Sequence, residues 1–415
     1  MPPPYAGIPK LSLLQSRVWK KEGHKVAIIF VYRPANGDDL GVGAEYFFEY
    51  SARPNKFKKV LFLLHYFFAN PLLYLNLLKS YLKIYPHLSK EAILYSAYGV
   101  FIDKVFSLFK PDIVLSEAAL IKTFMAAQIA KRQKVPIVFD NYAEIHDMSM
   151  GVNPHLNENE RKKYWESFLN LADLIIAPSY YSAKGPLTYL SKEKVEVVYA
   201  GSDYSLCKLE ISSNRQSLRD YLKLPQESFL VGTVGAFESR KGHDHLIKAI
   251  GKILKLGYNN IEAVICGGSG DATKWKALVE EEGIEGKIHF FGRISEEDLA
   301  KVYKSLDLYC DLQNTPRACC FGMALLEAMA TGLPIVVYNN GGLPEAIPER
   351  ENGFIVPTND IEAVSRAILK IYQLSPEKRK EMGMKSSAIA TKVDINSTAE
   401  IKLNWFKEVI NKFNK

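Results

Sequence analysis

The sequence predicts an α/β protein built as two doubly wound domains with parallel sheets. Its length of 415 residues accommodates two domains of ordinary size. Short runs rich in Val, Ile and Leu alternate with helical patterns along nearly the whole chain, the rhythm of parallel strands covered by helices on both faces. Several of those runs end in glycine, as strand ends that approach a ligand do.

In the first half the strand candidates are HKVAIIF (24–30), PDIVLS (111–116), VPIVFD (135–140), ADLIIAPS (172–179) and KVEVVYA (194–200). In the second half they are FLVGTVG (229–235), IEAVICGG (261–268), KIHFFG (287–292), LDLYCDL (306–312) and LPIVVY (333–338). Residues 205–226 between the two sets are polar and irregular and read as a linker. Domain bounds of 1–205 and 206–393 follow, with 394–415 left as a terminal segment. Its stretch AEIKLNWFKEVINKFNK (399–415) patterns as an amphipathic helix with Trp405 and Phe406 on or near the apolar face. Such sheets bind ligands at the carboxyl ends of their strands, so a cleft between the domains is the expected site.

Composition excludes several classes. The chain is 47% hydrophobic and 24% charged, as soluble globular proteins are, and no uninterrupted run of 18 apolar residues occurs. The five cysteines (207, 266, 310, 319 and 320) show neither CxxC pairing nor His/Cys metal spacing, which fits a reducing, cytoplasmic setting. A net charge of +7 suits phosphate ligands or an anionic membrane surface, and nucleic acid is not an expected partner.

One segment breaks the α/β rhythm. KFKKVLFLLHYFFANPLLYLNLLKSYLKIYPHL (56–88) is rich in Leu, Phe and Tyr, edged by lysines and interrupted by Pro71. It cannot span a bilayer as one helix. Two readings stay open, a pair of core helices or a basic, aromatic face lying on a membrane.

The chemistry concentrates at three glycine-bearing strand ends. Gly322 precedes MALLEAMA, a run of good helix formers closed by Gly332, and its backbone can let a ligand approach the helix start. There the free N–H groups and the helix dipole favour an anion. Glu327 lies about a turn and a half into that helix and can accept hydrogen bonds from sugar hydroxyls. VGTVGAFESRKGHDHLIKAI (231–250) supplies Gly235 and then Arg240-Lys241-Gly242, where a lysine can reach phosphates as a point charge. CGGSGDATKW (266–275), with Gly268, is the third. Together they predict a site for a diphosphate. Metal candidates are weak: Asp38-Asp39 lacks an Asp-x-Asp spacing, and His243 and His245 point to different faces of a helix.

Taken together, GAFESRKG…LIKAI, VICGGSGD, KIHFFGRISEEDLAKVYKSLDLY, FGMALLEAMATGLPIVV and NNGGLPEAI resemble the nucleotide-sugar domain of retaining GT-B glycosyltransferases, specifically glycosyltransferase family 4 (glycosyl transferases group 1). ADLIIAPSYYSAKG and KVEVVYAGSD extend the likeness to the first half, so it covers almost the whole chain. The resemblance implies two Rossmann-like domains facing a central cleft, with the terminal segment crossing back to the first. It implies Lys241 on the donor diphosphate, with the backbone of the Phe321–Ala324 turn (Phe321, Gly322, Met323, Ala324) beside it. Glu327 would hold the ribose as the second carboxylate of a Glu-x7-Glu motif, and Arg293 would frame the base. The family needs no metal and no cofactor beyond its nucleoside-diphosphate sugar donor. It acts on glycans or lipid-linked glycans, and many relatives work at the cytoplasmic face of a membrane, which favours segment 56–88 as a docking face.

Departures from the family pattern are specific. The first Glu of the motif is Cys319, and the usual arginine of the first glycine loop is Ala236, leaving Arg240 to supply charge from another position. A cysteine cannot stabilise an oxocarbenium ion as a carboxylate does, so a nucleotide-sugar-binding or partner subunit without catalysis is the second reading. On the acceptor side the position most often His aligns with Tyr142, a poor base near neutrality, while nearby His146 can titrate there. PPPYAGIPK resembles the family's first glycine loop, which brings Gly7 near donor and acceptor and puts the first strand upstream of Met1. The alternative takes HKVAIIF as that strand and GDDLGVGAE (37–45) as the loop.

Overall fold

The computed structural model describes residues 7–30, 45–48, 56–84, 90–117, 121–141, 157–201, 219–267, 270–315 and 322–415. The chain divides into two compact units. The first comprises 1–199 and 398–415, the second 200–397.

In the first unit the elements run α1 (Gly7–Lys21), β1 (Ala27–Phe30), β2 (Glu45–Phe48), α2 (Lys56–Ala69), α3 (Pro71–Ile84) and α4 (Lys90–Phe109). Then come β3 (Val114–Glu117), α5 (Ile121–Gln133), β4 (Ile137–Asp140), α6 (Glu158–Leu169), β5 (Leu174–Ala177), α7 (Tyr180–Leu187) and β6 (Val195–Val197). β3-β4-β5-β6 form one parallel sheet, and β1 pairs with β2 in a separate parallel pair. Side chains alternate between two helical layers, as the pleat requires. Ile137, Phe139 and Ile175 face a core built from α2 to α6, and Ile29 and Val114 pack against that same core. Val138, Leu174 and Ile176 face the other way onto Trp19 of α1, and Val26 and Leu115 join them. The β1 segment and β3–β6 therefore share both helical layers, although among the described residues no strand bridges β1 and β3.

Asn70 and Pro71 shape the α2–α3 bend. The Asn70 carboxamide accepts from the Leu73 backbone N–H at 3.1 Å, capping α3, and Pro71 occupies its first position. The helix axis turns by 110° there. α4 is long and apolar enough to cross a membrane, but its Ala97, Tyr98, Phe101, Ile102, Val105 and Phe106 are buried in the core of this unit.

The second unit runs β7 (Phe229–Val234), α8 (His243–Lys255), β8 (Ile261–Cys266), α9 (Thr273–Glu282), β9 (Ile288–Phe291), α10 (Glu296–Ser305) and β10 (Leu308–Asp311). It continues through α11 (Met323–Ala330), β11 (Ile335–Tyr338), β12 (Gly353–Val356), α12 (Ile361–Tyr372) and α13 (Pro376–Thr391). α14 (Ile395–Phe413) begins here, and its residues from Thr398 onward belong to the first unit. All six strands are parallel in the order β12-β11-β10-β7-β8-β9. Progression reverses between β7 and β10, and the helices change face with it: α8, α9 and α12 cover one side, α10 and α11 the other. That reversal is a topological switch point.

Two expectations need correction. Residues 219–226 are not loose linker, because Arg219 is buried and its guanidinium donates to the carbonyls of Ser305, Gln226 and Ser228 and to Asp307 Oδ2 at 2.9 Å. GFIV (353–356) forms the edge strand β12, which is not among the strand candidates of the sequence.

Candidate donor-binding site

The loops after β7 and β10 meet at the switch point, and glycine makes the meeting possible. Gly242 has a φ of 70°, and a Cβ there would lie 2.1 Å from the Leu312 carbonyl oxygen. Only glycine permits both. The Asn314 N–H donates to the Arg240 carbonyl at 3.0 Å, locking the two loops together. The strand end after β8 joins them, since a Cβ on Gly270 would stand 2.8 Å from the Phe237 carbonyl oxygen. Three glycine-bearing strand ends thus converge.

Lys241 sits at the centre. Its aliphatic stem lies over Gly235, where a Cβ would be 3.3 Å from Lys241 Cδ. Its ammonium donates to Gln313 Oε1 at 2.9 Å. Gln313 is held in turn: its Nε2 donates to Asp311 Oδ2 at 3.4 Å and its carbonyl accepts from Asn340 Nδ2 at 2.8 Å. Burial pushes the Asp311 carboxyl up, opposed by the charge of Lys241 and the hydrogen bonds from Gln313. Asp311 stands behind Gly322, 3.0 Å from where a Cβ would project. Gln313, Asp311 and Asn340 are absent from the residues read from sequence. Their signal was position, at or just beyond the ends of β10 and β11.

Gly322 precedes α11, and among the described residues no side chain caps the helix there. The first-turn N–H groups of Met323 and Ala324 are those a helix leaves without internal partners, an anion-binding arrangement beside Lys241's loop. Glu327 is buried in the same helix and accepts from the Tyr303 hydroxyl at 3.0 Å. Burial next to Glu327 raises the Tyr303 phenol well above its usual range, so it stays a donor.

His243 fixes the loop that carries Lys241. Its Nε2 lies 2.9 Å from the Ala236 carbonyl, which can only accept, so the proton is on Nε2. Burial holds its pKa below the usual imidazole value. His245 contacts the Tyr338 hydroxyl at 2.8 Å instead. Among the described residues no group of three or more His, Cys, Asp and Glu could hold a metal ion.

Arg240 pairs with the exposed Glu238. Arg293 is exposed just after β9. Gly7 opens α1 in the first unit. His146, Tyr142, Gly268, Cys319 and Phe321, together with Asp38 and Asp39, lie outside the described residues.

Residues 214–388 match the family of glycosyl transferases group 1. The chain is 30% identical over 173 residues to a D-inositol 3-phosphate glycosyltransferase of Corynebacterium efficiens, an alignment covering 40% of each. It spans about half the length of the curated relatives it matches. A solved glycosyltransferase from Rickettsia africae superposes with a TM-score of 0.73 at 18% identity, over 98% of this chain and 96% of that one. An Anabaena protein, HepE, solved with UDP and glucose, superposes with a TM-score of 0.68 at 17% identity, over 96% of both chains. The fold is GT-B. Within it the Lys241 loop and the start of α11 belong to the matched domain, and the first unit carries the other Rossmann-like sheet.

Proposed function

We propose that this GT-B protein is a glycosyltransferase that takes a sugar from a nucleoside-diphosphate sugar, without a metal, and passes it with retention to a hydroxyl of a glycan or lipid-linked glycan. One observation carries the donor half. Lys241, positioned by Gln313 and Asp311, stands at the switch point whose other wall is the uncapped start of α11. A diphosphate is the ligand that uses a lysine ammonium and a helix N-terminus together. The UDP in the Anabaena neighbour and the sugar-transferring relatives support this reading.

In the transfer step the bond between the sugar's anomeric carbon and the leaving phosphate oxygen breaks. A bond to the acceptor oxygen forms on the same face, and the acceptor's proton passes to the departing phosphate. Lys241 and the N–H groups at Met323 and Ala324 meet the charge that develops on the diphosphate, while Glu327, braced by Tyr303, holds the ribose hydroxyls. His146 and Tyr142 are assigned to the acceptor.

Thermal stabilisation by UDP, GDP, ADP and their sugars, with chelator present, tests the proposal. A ligand at a hundred times its Kd raises stability by about 2.7 kcal/mol. One nucleotide should stabilise the wild type, with affinity about tenfold or more weaker in Lys241→Ala and Glu327→Ala. A folded wild type that responds to none of them rejects the donor site. Cys319 favours a second reading, a donor-binding partner subunit. Nucleotide binding without sugar transfer, and turnover appearing in Cys319→Glu, would select it.

A further inference from the structure

The bent helix pair α2–α3 is apolar on both sides. Phe62, Tyr66, Leu73, Tyr74, Leu77 and Tyr81 form its inner face and are buried in the first unit's core with α4. The outer face should be polar in a helix that merely covers a core. Instead Leu61, Leu64, Phe68, Leu72 and Leu75 recur every three or four residues across the bend, all exposed. Exposure peaks at the bend itself, 73% for Phe68 and 75% for Leu72. Only His65 and Asn76 interrupt this face with polar side chains between Val60 and Asn76. A contiguous exposed apolar stripe of this kind marks a partner or a membrane.

Charge decides between them. Residues 56–84 contain five lysines (56, 58, 59, 79 and 83) and no Asp or Glu. They stand at the start of α2 and toward the end of α3, on either side of the apolar bend, and Lys79 and Lys83 are exposed. A twofold contact between two copies would set this patch against itself, lysine facing lysine with no carboxylate of the segment to relieve it. A bilayer with anionic headgroups satisfies both features at once.

We infer that the outer face of α2–α3 docks on an anionic lipid surface, Phe68 and Leu72 entering the boundary between headgroups and acyl chains and Lys79 and Lys83 resting on the headgroups. Each arm has 14 residues. That is about 21 Å of helix, short of a hydrocarbon core of about 30 Å, so the pair lies in the interface rather than crossing it. Lys79 and Lys83 fall about 10 and 16 Å along α3 from Leu72, within reach of the headgroup layer when the bend is immersed by about 5–10 Å. The inference stands on the first unit alone and does not depend on the donor site.

Flotation of the full chain with vesicles tests it, using equal parts phosphatidylcholine and phosphatidylglycerol against phosphatidylcholine alone. At low salt the wild type should float with the anionic vesicles and be released by molar salt. The double variant Phe68→Ser/Leu72→Ser should stay folded by circular dichroism and partition at least about tenfold less. Lys79→Gln and Lys83→Gln should each weaken binding about fivefold on anionic vesicles only. Should the serine variant fail to fold, Phe68→Trp decides: a blue shift in the emission gained over wild type on adding vesicles supports docking, and no shift overturns it. A wild type that stays out of anionic vesicles at low salt, or a folded serine variant that floats as well as wild type, overturns it. So does a wild-type dimer that the serine variant abolishes. Nucleotide stabilisation, measured on the same samples, reports the donor site separately.

Discussion

Single side chains in the second unit gain their roles from what lies behind them. The Lys241 ammonium is held at the switch point by Gln313, itself bonded to Asp311, and Tyr303 occupies one oxygen of Glu327. His243 anchors the loop from beneath, and its titration gives a measurable consequence. Its Nδ1 is buried with no hydrogen-bond partner among the described residues, so protonation would place a charge in the core. Burial lowers the folded pKa below the unfolded value of about 6.5, reinforced by the charge of Lys241 and opposed by the backbone carbonyls of Ala236 and Gly235 and the charge of Asp244. With a depressed pKa, the unfolded chain binds the proton first as pH falls. Stability is therefore full above about pH 6.5 and declines below it, until the folded pKa is reached. His243→Gln keeps a donor for the Ala236 carbonyl and removes the titration. Urea midpoints between pH 7 and pH 5 should fall less steeply in this variant than in wild type; equal slopes would remove His243 as a source of the dependence. His245, also lowered by burial, adds a contribution that both proteins retain.

At the scale of elements, α14 is fastened to the first unit by a buried polar contact. Lys402 on α14 pairs with Asp140 at the end of β4, and Lys402 Nζ also lies 3.4 Å from Gln15 Oε1 on α1. Lys402 and Gln15 are fully buried and Asp140 nearly so. Around this contact Trp19 donates to the Ala399 carbonyl at 3.0 Å and packs edge-on against Phe406, ring centroids 5.5 Å apart. Removing one member of a buried pair strands the other charge in the core, a loss of roughly 3–5 kcal/mol. Lys402→Met should lower the first unit's stability by that amount, and Lys402→Met/Asp140→Leu should recover much of it. Equal melting of the single and double variants would show that the pair contributes only through packing. The same elements explain why β3 is half-buried while β4 and β5 are fully buried: β3 stands at the edge of its sheet among the described residues.

Across the whole molecule, each unit encloses its own hydrophobic clusters. Independent cores unfold as independent steps when little else couples them. Chemical denaturation should resolve two transitions, and the stabilising nucleotide should move only the one that belongs to residues 200–397. Intrinsic fluorescence separates them after Trp275→Phe, which leaves Trp19, Trp165 and Trp405, all in the first unit. A single transition, shifted as a whole by nucleotide, would show that the units unfold as one.

The sequence by itself determined the α/β class, the ten strands it marked, the break at Pro71 and the glycine loop that presents Lys241. These are local properties: runs of branched apolar residues, a proline that cannot continue a helix, and glycines where the chain must turn tightly. β2 and β12 were missed for their composition: EYFF contains no branched apolar residue, and GFIV is opened by a glycine and closed by Pro357. Tertiary structure decided the rest, because it depends on residues distant in the chain. Strand order put the β7 and β10 loops side by side, and so brought Gln313 to Lys241 and Asp311 behind Gly322. Packing placed Tyr303 against Glu327, and Lys402 against a carboxylate 262 positions earlier. It also exposed one face of α2–α3, where leucines and aromatics line both sides. Periodicity identifies an apolar stripe, but only the neighbours packed around it decide which stripe meets the core and which is left outside.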